Sequence, residues 1–344
     1  YKLPVFDNLL SIVADESILK IAYTKIKSNK GANTRSTDPN KSTANISNQV
    51  FTNISKSILE GKYNFSPVRR VWIPKPGKKE KRPLGIPTFY DKIVQQAILM
   101  ILEAIYEPVF NERNDNFGFR PNKSCHNAIL KITQKGQGMT GVIEGDIKGA
   151  YDNVDQEILI RILSKRIRDM KFLQLIDRCM KSGIFDELAK SHKHSLTGVP
   201  QGGIVSPTLF NIYMFELDNF VNEYITNTIE TINRIQKRSV DIKSPTYQRA
   251  LYTQTLLELT KEEKIERLNT IKQIKASTKE LFTLESVDFS RIKLRFLYVR
   301  YADDWVLMSN AKISLLKQFK KKIENFLRHY LKLELSPTKT LISK

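Results

Sequence analysis

The sequence predicts an α+β fold, and two short β units set among amphipathic helices predict it. One is a basic β-hairpin at residues 61–85, where Val71-Trp72-Ile73 and Leu84-Gly85-Ile86 flank Pro74-Lys75-Pro76-Gly77-Lys78-Lys79. The other is a strand, tight turn and strand at residues 294–308, with Ala302-Asp303-Asp304 in the turn. Around them apolar residues recur at helical spacing over residues 3–27, from Asp91 onward and again after Ser206.

Taken in order, Leu9, Leu10, Val13, Leu19, Ala22 and Ile26 mark the first helical stretch, and polar residues 28–47 break its period. The hairpin carries eight Lys and Arg against the single acid Glu80, and its turn residues leave the lysines projecting into solvent. That suits either a phosphate-gripping lid or a merely solvated basic loop. Asp91 opens a helix apolar on more than one face, which is core. Residues 142–147 form a strand ending on Asp146, and Asp155 is the N-cap of the next helix. The ordered loop Gly198-Val-Pro-Gln-Gly-Gly203 leads into an N-cap at Ser206 with Pro207 in the first turn. Residues 222–290, of mixed charge and studded with Leu and Ile, are an expected helical insertion.

The chain has 344 residues, long enough for one large core or two smaller ones, and a formal charge of +20. Such an excess attracts polyanions, so nucleic acid is the leading partner over a basic protein of another kind or a membrane-surface binder. Cys125 and Cys179 stand far apart with no paired ligand motif, so neither a disulfide partner nor a structural zinc site is expected. His192 and His194 read as loop polar groups. No apolar run approaches the ~20 residues that cross a bilayer, so no membrane partner is expected. The chain opens at Tyr1 without a signal-peptide pattern, which suggests a fragment.

Acidic pairs in turns are usually solvated or capping. Asp303 and Asp304, however, lie between two apolar strands, where charge near a core is costly unless a cation compensates it. Asp146, at the end of another strand, can join them if the fold brings the strands together. Three converging carboxylates suit Mg²⁺, and two such ions neutralise charge along the path of phosphoryl transfer.

Tyr301-Ala302-Asp303-Asp304 resembles the Tyr-x-Asp-Asp box of reverse transcriptases, with Asp146-Ile147-Lys148-Gly149-Ala150-Tyr151 as its companion. Further motifs resemble group II intron-encoded reverse transcriptase/maturases: Ile73-Pro-Lys-Pro-Gly77, Arg82-Pro-Leu-Gly-Ile-Pro87, Gly118-Phe-Arg-Pro121, Gly198-Val-Pro-Gln-Gly-Gly203 and Val205-Ser-Pro207. The resemblance spans residues 61–220 and 294–344. It implies a right-hand polymerase fold, with fingers at 1–121 and 155–200 and a palm at 122–154 and 201–344. The palm would be a small antiparallel sheet backed by helices. The chain ends at Lys344, before the helical thumb of that family, so the thumb is expected to be absent from it.

The resemblance also implies roles. Asp146 and Asp303 would bridge two Mg²⁺ ions, with Mn²⁺ as a substitute, the Ile147 carbonyl would complete one shell, and Asp304 would support the site. Lys75, or Lys78 or Lys79 in its place, and Arg82 would grip the incoming triphosphate. Ala150 and Tyr151 would border the nucleotide, with Tyr151 crowding a ribose 2′-hydroxyl, and Gln201 would contact the sugar. Lys339 would protonate the leaving pyrophosphate. Arg120, Lys123, Gly202, Gly203, Tyr301 and Ala302 would meet template or primer. Partners would be an intron RNA template, a DNA or RNA primer, dNTPs and a second copy in a homodimer. The compartment would be intracellular, in an organelle or a bacterium. A maturase that only binds RNA and an RNA-dependent RNA polymerase are the rival readings; the intact aspartates disfavour the first and Tyr151 the second. The family's usual Gly-x-Asp-Gly near the N-terminus is replaced by Asn33-Thr-Arg-Ser-Thr-Asp38.

Overall fold

The computed structural model describes residues 4–29, 31–32, 34–38, 46–74, 77, 81–186, 191–193, 197–235 and 293–343. They fall in two units, one of residues 1–223 and 296–344 and one of residues 224–295.

In the first unit the N-terminal helical stretch is two helices, α1 (Leu9–Ala14) and α2 (Glu16–Lys27). Asp15 divides them because its extended backbone lets its carboxylate accept the amides of Ser17 and Ile18, which caps α2. Helix α3 (Asn48–Leu59) buries Phe51, Ile54 and Ile58. Strands β1 (Val68–Pro74) and β2 (Lys81–Ile86) form the expected hairpin, with Arg69 opposite Ile86 and Pro74 opposite Lys81. Lys75, Lys78 and Lys79 at its tip lie outside the described residues.

Helix α4 (Phe89–Arg113) starts two residues before Asp91, because Thr88 is the cap. Asp91 instead closes that cap from inside: it accepts from Thr88 Oγ1 at 2.6 Å, Tyr63 OH at 2.9 Å and the Ser66 amide at 3.1 Å. By length and composition α4 could cross a membrane, which corrects the expectation that no apolar run is long enough. Yet Ile93, Val94, Ala97, Ile98 and Leu102 are wholly buried in this unit, and Asp91, Lys92 and Gln95 beside them are buried too. It is a core helix.

Helix α5 (Cys125–Lys135) begins at a reciprocal cap between Ser124 and Asn127. After it come β3 (Gly141–Gly145), α6 (Gln156–Ser164) capped by Asp155, and α7 (Met170–Met180). Strand β4 (Ile184–Asp186) pairs parallel to β1 and antiparallel to β5 (Ser191–Lys193), giving a first sheet ordered β2-β1-β4-β5. His192 therefore sits on a strand and not in a loop, and His194 lies outside the described residues. Helix α8 (Ser206–Ile235) starts at Ser206 itself. Strands β6 (Phe296–Tyr301) and β7 (Asp304–Ser309), helix α9 (Ile313–Tyr330) and β8 (Leu341–Ser343) complete a second sheet, ordered β6-β7-β3-β8. The fold is α+β. Cys125 and Cys179 are both free thiols.

In the second unit Asn233 holds Leu294 by two hydrogen bonds, side-chain amide to carbonyl at 3.0 Å and amide to side-chain oxygen at 2.8 Å. Residues 236–292, most of the expected insertion, lie outside the described residues.

Candidate active site

The second sheet assembles the aspartates. β3 runs antiparallel to β7 with Gly141 opposite Ser309 and Gly145 opposite Trp305. One more residue in that register sets Asp146 opposite Asp304, the first residue of β7. β6 and β7 pair up to Tyr301 and Asp304, leaving Ala302 and Asp303 as the turn, with Ala302 left-handed at φ 56°. The close approach of β3 to β7 needs glycine: a Cβ on Gly145 would lie 2.0 Å from the Trp305 ring.

Asp146 is buried, Asp303 half-buried and Asp304 exposed. Burial pushes the Asp303 carboxyl above the usual range, and Asp146 pushes it further, while Lys339 and Arg82 pull it back. Burial and the charges of Asp303 and Asp146 raise Asp304 likewise. The ammonium of Lys339 lies 2.9 Å from Asp146 Oδ2, a hydrogen bond that strengthens its hold on its proton. Lys339 is placed by a segment laid along the far edge of Asp146: Lys148 N donates to Glu334 O at 2.9 Å and Ser336 N to Asp146 O at 2.8 Å, flanking the bridge of Ile147 with Leu335. In such a pair the Ile147 carbonyl points away from that segment.

Among the described residues no three His, Cys, Asp or Glu side chains are arranged to hold a metal ion as they stand. Asp146 is nonetheless near enough to raise the affinity of Asp303 and Asp304 for protons, and the cation meeting Asp146 is the protein's own Lys339. A cluster of anions disfavoured by its own burial, with a lysine charge supplied to it, fits divalent-cation ligands.

Beside the aspartates, Tyr151 is half-buried with its ring stacked on Phe210 at 4.5 Å. Burial, then the neighbouring Asp303, holds its hydroxyl protonated well above the ordinary range. Ala150 is buried. The Tyr151 carbonyl accepts the Val199 amide at 2.8 Å, and Gly85 N donates to Gln201 O at 2.6 Å, so the Gln201 loop is tied to both the Tyr151 turn and β2. Gly202 has φ 102° and Gly203 packs on Ser206, where a Cβ would stand 2.5 Å from its hydroxyl. Arg82 is exposed on β2, near enough for its charge to reach Asp303.

Arg120 is corrected. Its side chain is 1% exposed and is paired with Glu107 at 2.8 Å, with further bonds to Asn111 Oδ1 and the Asn116 carbonyl, both at 2.8 Å. A guanidinium so enclosed is a structural group and not a template contact. Lys123 is partly exposed and donates to Asn114 Oδ1 at 3.0 Å.

A second buried arginine escaped sequence reasoning. Arg300, wholly buried in β6, makes a two-pronged pair with Asp218 of α8 at 2.7 and 2.6 Å. It also donates to the Ala302 carbonyl at 2.9 Å and to Asn211 Oδ1 at 3.2 Å, so it ties the aspartate turn to α8. The available signal was a charged residue inside the apolar run Leu297-Tyr298-Val299-Arg300.

Comparison with known proteins agrees with this geometry. The family described as "Reverse transcriptase (RNA-dependent DNA polymerase)" matches residues 73–240. Group II intron-encoded protein LtrA of Lactococcus lactis subsp. cremoris is 37% identical over 98% of this chain and 55% of its own length. The chain belongs to the group II intron-encoded reverse transcriptases. Its fold is accordingly that of the polymerase right hand. An uncharacterized 91 kDa protein in a cob intron of Schizosaccharomyces pombe is 36% identical over 94% of this chain and 38% of itself. A telomerase structure from Candida albicans is similar at TM-score 0.48 and 11% identity, over 83% of this chain and 42% of that one. The chain thus spans about half the length, or less, of these relatives.

Proposed function

We propose that this chain is an RNA-directed DNA polymerase that adds dNTPs to a primer 3′-hydroxyl on an RNA template and releases pyrophosphate. The convergence of Asp146, Asp303 and Asp304, with Lys339 bonded to Asp146, carries the reading. Reverse transcriptases use divalent metal ions; here we assign two Mg²⁺, with Mn²⁺ able to replace them. Asp146, Asp303 and Asp304 would hold them with the Ile147 carbonyl, and when bound they supply charge neutralisation for the reacting phosphates. Lys339 keeps a proton at Nζ for the departing pyrophosphate. Arg82, with its planar fork, holds the triphosphate alongside Lys75. Tyr151, its ring fixed on Phe210, excludes a ribose 2′-hydroxyl, while Ala150 and Gln201 border the sugar. Gly202, Gly203, Lys123, Tyr301 and Ala302 face template or primer.

In this reading residues 1–121 and 155–200 are fingers, and residues 122–154 and 201–344 are palm. Intron RNA is the natural template, and a splicing role accompanies the polymerase; a 34% identical stretch of 95 residues in Nuclear intron maturase 1 of Arabidopsis thaliana supports it. The relatives include a bacterial protein and proteins named as mitochondrial, and the same compartments are proposed here.

Primer extension on RNA with Mg²⁺ and dNTPs should disappear in Asp303→Ala while circular dichroism and intron-RNA binding are kept. Undiminished extension in that variant would overturn the mechanism. Tyr151→Ala should gain rNTP incorporation; an unchanged preference for dNTPs would remove Tyr151 from sugar selection.

A further inference from the structure

Phe119 stands where the chain around it is held fast. On one side Gly118 is pressed against the aspartate turn, where a Cβ would stand 2.4 Å from the Ala302 amide nitrogen. Its carbonyl accepts from Asn211 Nδ2 at 2.8 Å and its amide donates to Asn116 Oδ1 at 3.0 Å. On the other side Arg120 is locked into its buried pair with Glu107. Between these anchors Phe119 takes a left-handed backbone, φ 52°, which bulky residues rarely adopt, and the residue is 52% exposed. A strained conformation that turns an apolar ring toward water is not explained by packing, and such outliers gather at binding sites.

The neighbour of that ring is Tyr301, 36% exposed, with ring centroids 6.4 Å apart and the planes tilted by 42°. Tyr301 is paired with Asp304 across the hairpin, so the two rings make one aromatic strip at the edge of the carboxylate cluster.

We propose that Phe119, together with Tyr301, is a stacking platform for the terminal nucleotides of the primer strand. The proposal rests on the polymerase reading. A primer whose 3′-hydroxyl reaches the aspartates must lay its last nucleotides beside this turn. Every base and sugar offers an apolar face, so an aromatic strip holds them whatever the sequence, and the chain's charge of +20 attracts the phosphates. The segment 118–121 thus meets nucleic acid through Phe119, while Arg120 shapes the backbone that presents it.

The test compares wild type with Phe119→Gly and Phe119→Trp by thermal unfolding, by anisotropy titration of a labelled RNA–DNA primer duplex without dNTP, and by the dNTP KM in primer extension. Phe119→Gly should weaken duplex binding about tenfold, the size of one lost base–aromatic contact. Its Tm should stay within a few degrees of wild type, because glycine adopts this backbone freely and that relief offsets the loss of the covered half of the ring. Phe119→Trp should bind as wild type does, and the dNTP KM should be the same in all three. A duplex affinity unchanged in Phe119→Gly, or a Tm that falls by many degrees, would overturn the proposal, the latter meaning that the ring serves protein packing. If extension works but affinity is unmoved, the platform fails and the polymerase stands. If affinity falls as expected but no variant or wild type extends a primer, the platform stands and the polymerase reading fails.

Discussion

The aspartate turn and the basic hairpin are built by opposite rules. The turn is clamped: Arg300 binds its Ala302 carbonyl, Gly118 packs against its backbone, and Gly145 lets Trp305 close over β3. Its carboxyls are forced together, and burial raises the affinity of Asp303 and Asp304 for protons. The hairpin instead holds Lys81 and Arg82 in solvent at its outer end, beyond the pairing of β1 with β4. Charges in water cost the fold little, whereas charges gathered near a core cost it stability until a cation arrives. The contrast separates what the fold must fix in advance from what it can leave for the ligand to organise.

The largest effect expected follows from neutralising one member of the cluster. Asp303→Asn should lower primer extension by on the order of 10³-fold, since a ligand to transition-state charge is worth several kcal/mol. The ligand-free protein should become more stable. The folded-state pKa of Asp303 is raised, so the folded protein binds more protons than the unfolded chain between about pH 3.9, the unfolded value, and that raised pKa. Stability conferred by Asp303 therefore falls as pH rises through this window and stays lost at neutral pH. Thermal unfolding at pH 7 should show a higher Tm for Asp303→Asn than for wild type. The gap should close below about pH 4, near the unfolded value. Added Mg²⁺ should stabilise wild type and not the variant. A lower Tm for Asp303→Asn at pH 7 would show that the cluster is not strained.

The next effect concerns the clamp. Asp218→Asn leaves the guanidinium of Arg300 buried without its counter-charge, and breaking such a pair costs about 3–5 kcal/mol. Urea unfolding should show a loss of that size. Asp218→Leu combined with Arg300→Leu should lose less than either single change, because neither charge is then stranded. Extension should nonetheless stay impaired in the double variant, since the Ala302 carbonyl loses its donor. Full activity there would mean that the turn holds its own geometry.

These residues also mark how far the sequence reaches. The strand ends at Asp146 and Asp303, the hairpin and the caps at Asp155 and Ser206 are local features, written in alternation, turn chemistry and capping residues, and the structure has them within a residue or two. The Arg120 and Arg300 environments are not local. Glu107 and Asp218 lie on other helices, and whether an arginine faces solvent or a buried carboxylate depends on a packing angle that no spacing encodes. Strand register is the same kind of fact: only the pairing of Gly145 with Trp305 puts Asp146 opposite Asp304. Asp15 was legible in principle, as a capping residue between two helices.

The smallest effect should come from the hairpin, and its smallness is the point of the comparison. Arg82→Gln removes an exposed charge from β2, so Tm should move by less than about 1 °C, as for surface substitutions. The dNTP KM should rise about 10- to 100-fold, the range for one charge-assisted contact, with kcat changed less. Because the lost interaction is made in open solvent, the ratio of variant to wild-type KM should shrink as salt is raised and the phosphate attraction is screened. Arg82→Lys should recover part of the loss, since the charge is restored without the bidentate fork. If Arg82→Gln instead lowered Tm by several degrees and left KM alone, the hairpin would belong with the clamped turn, and the division between a fixed anionic cluster and a ligand-organised cationic ribbon would be withdrawn.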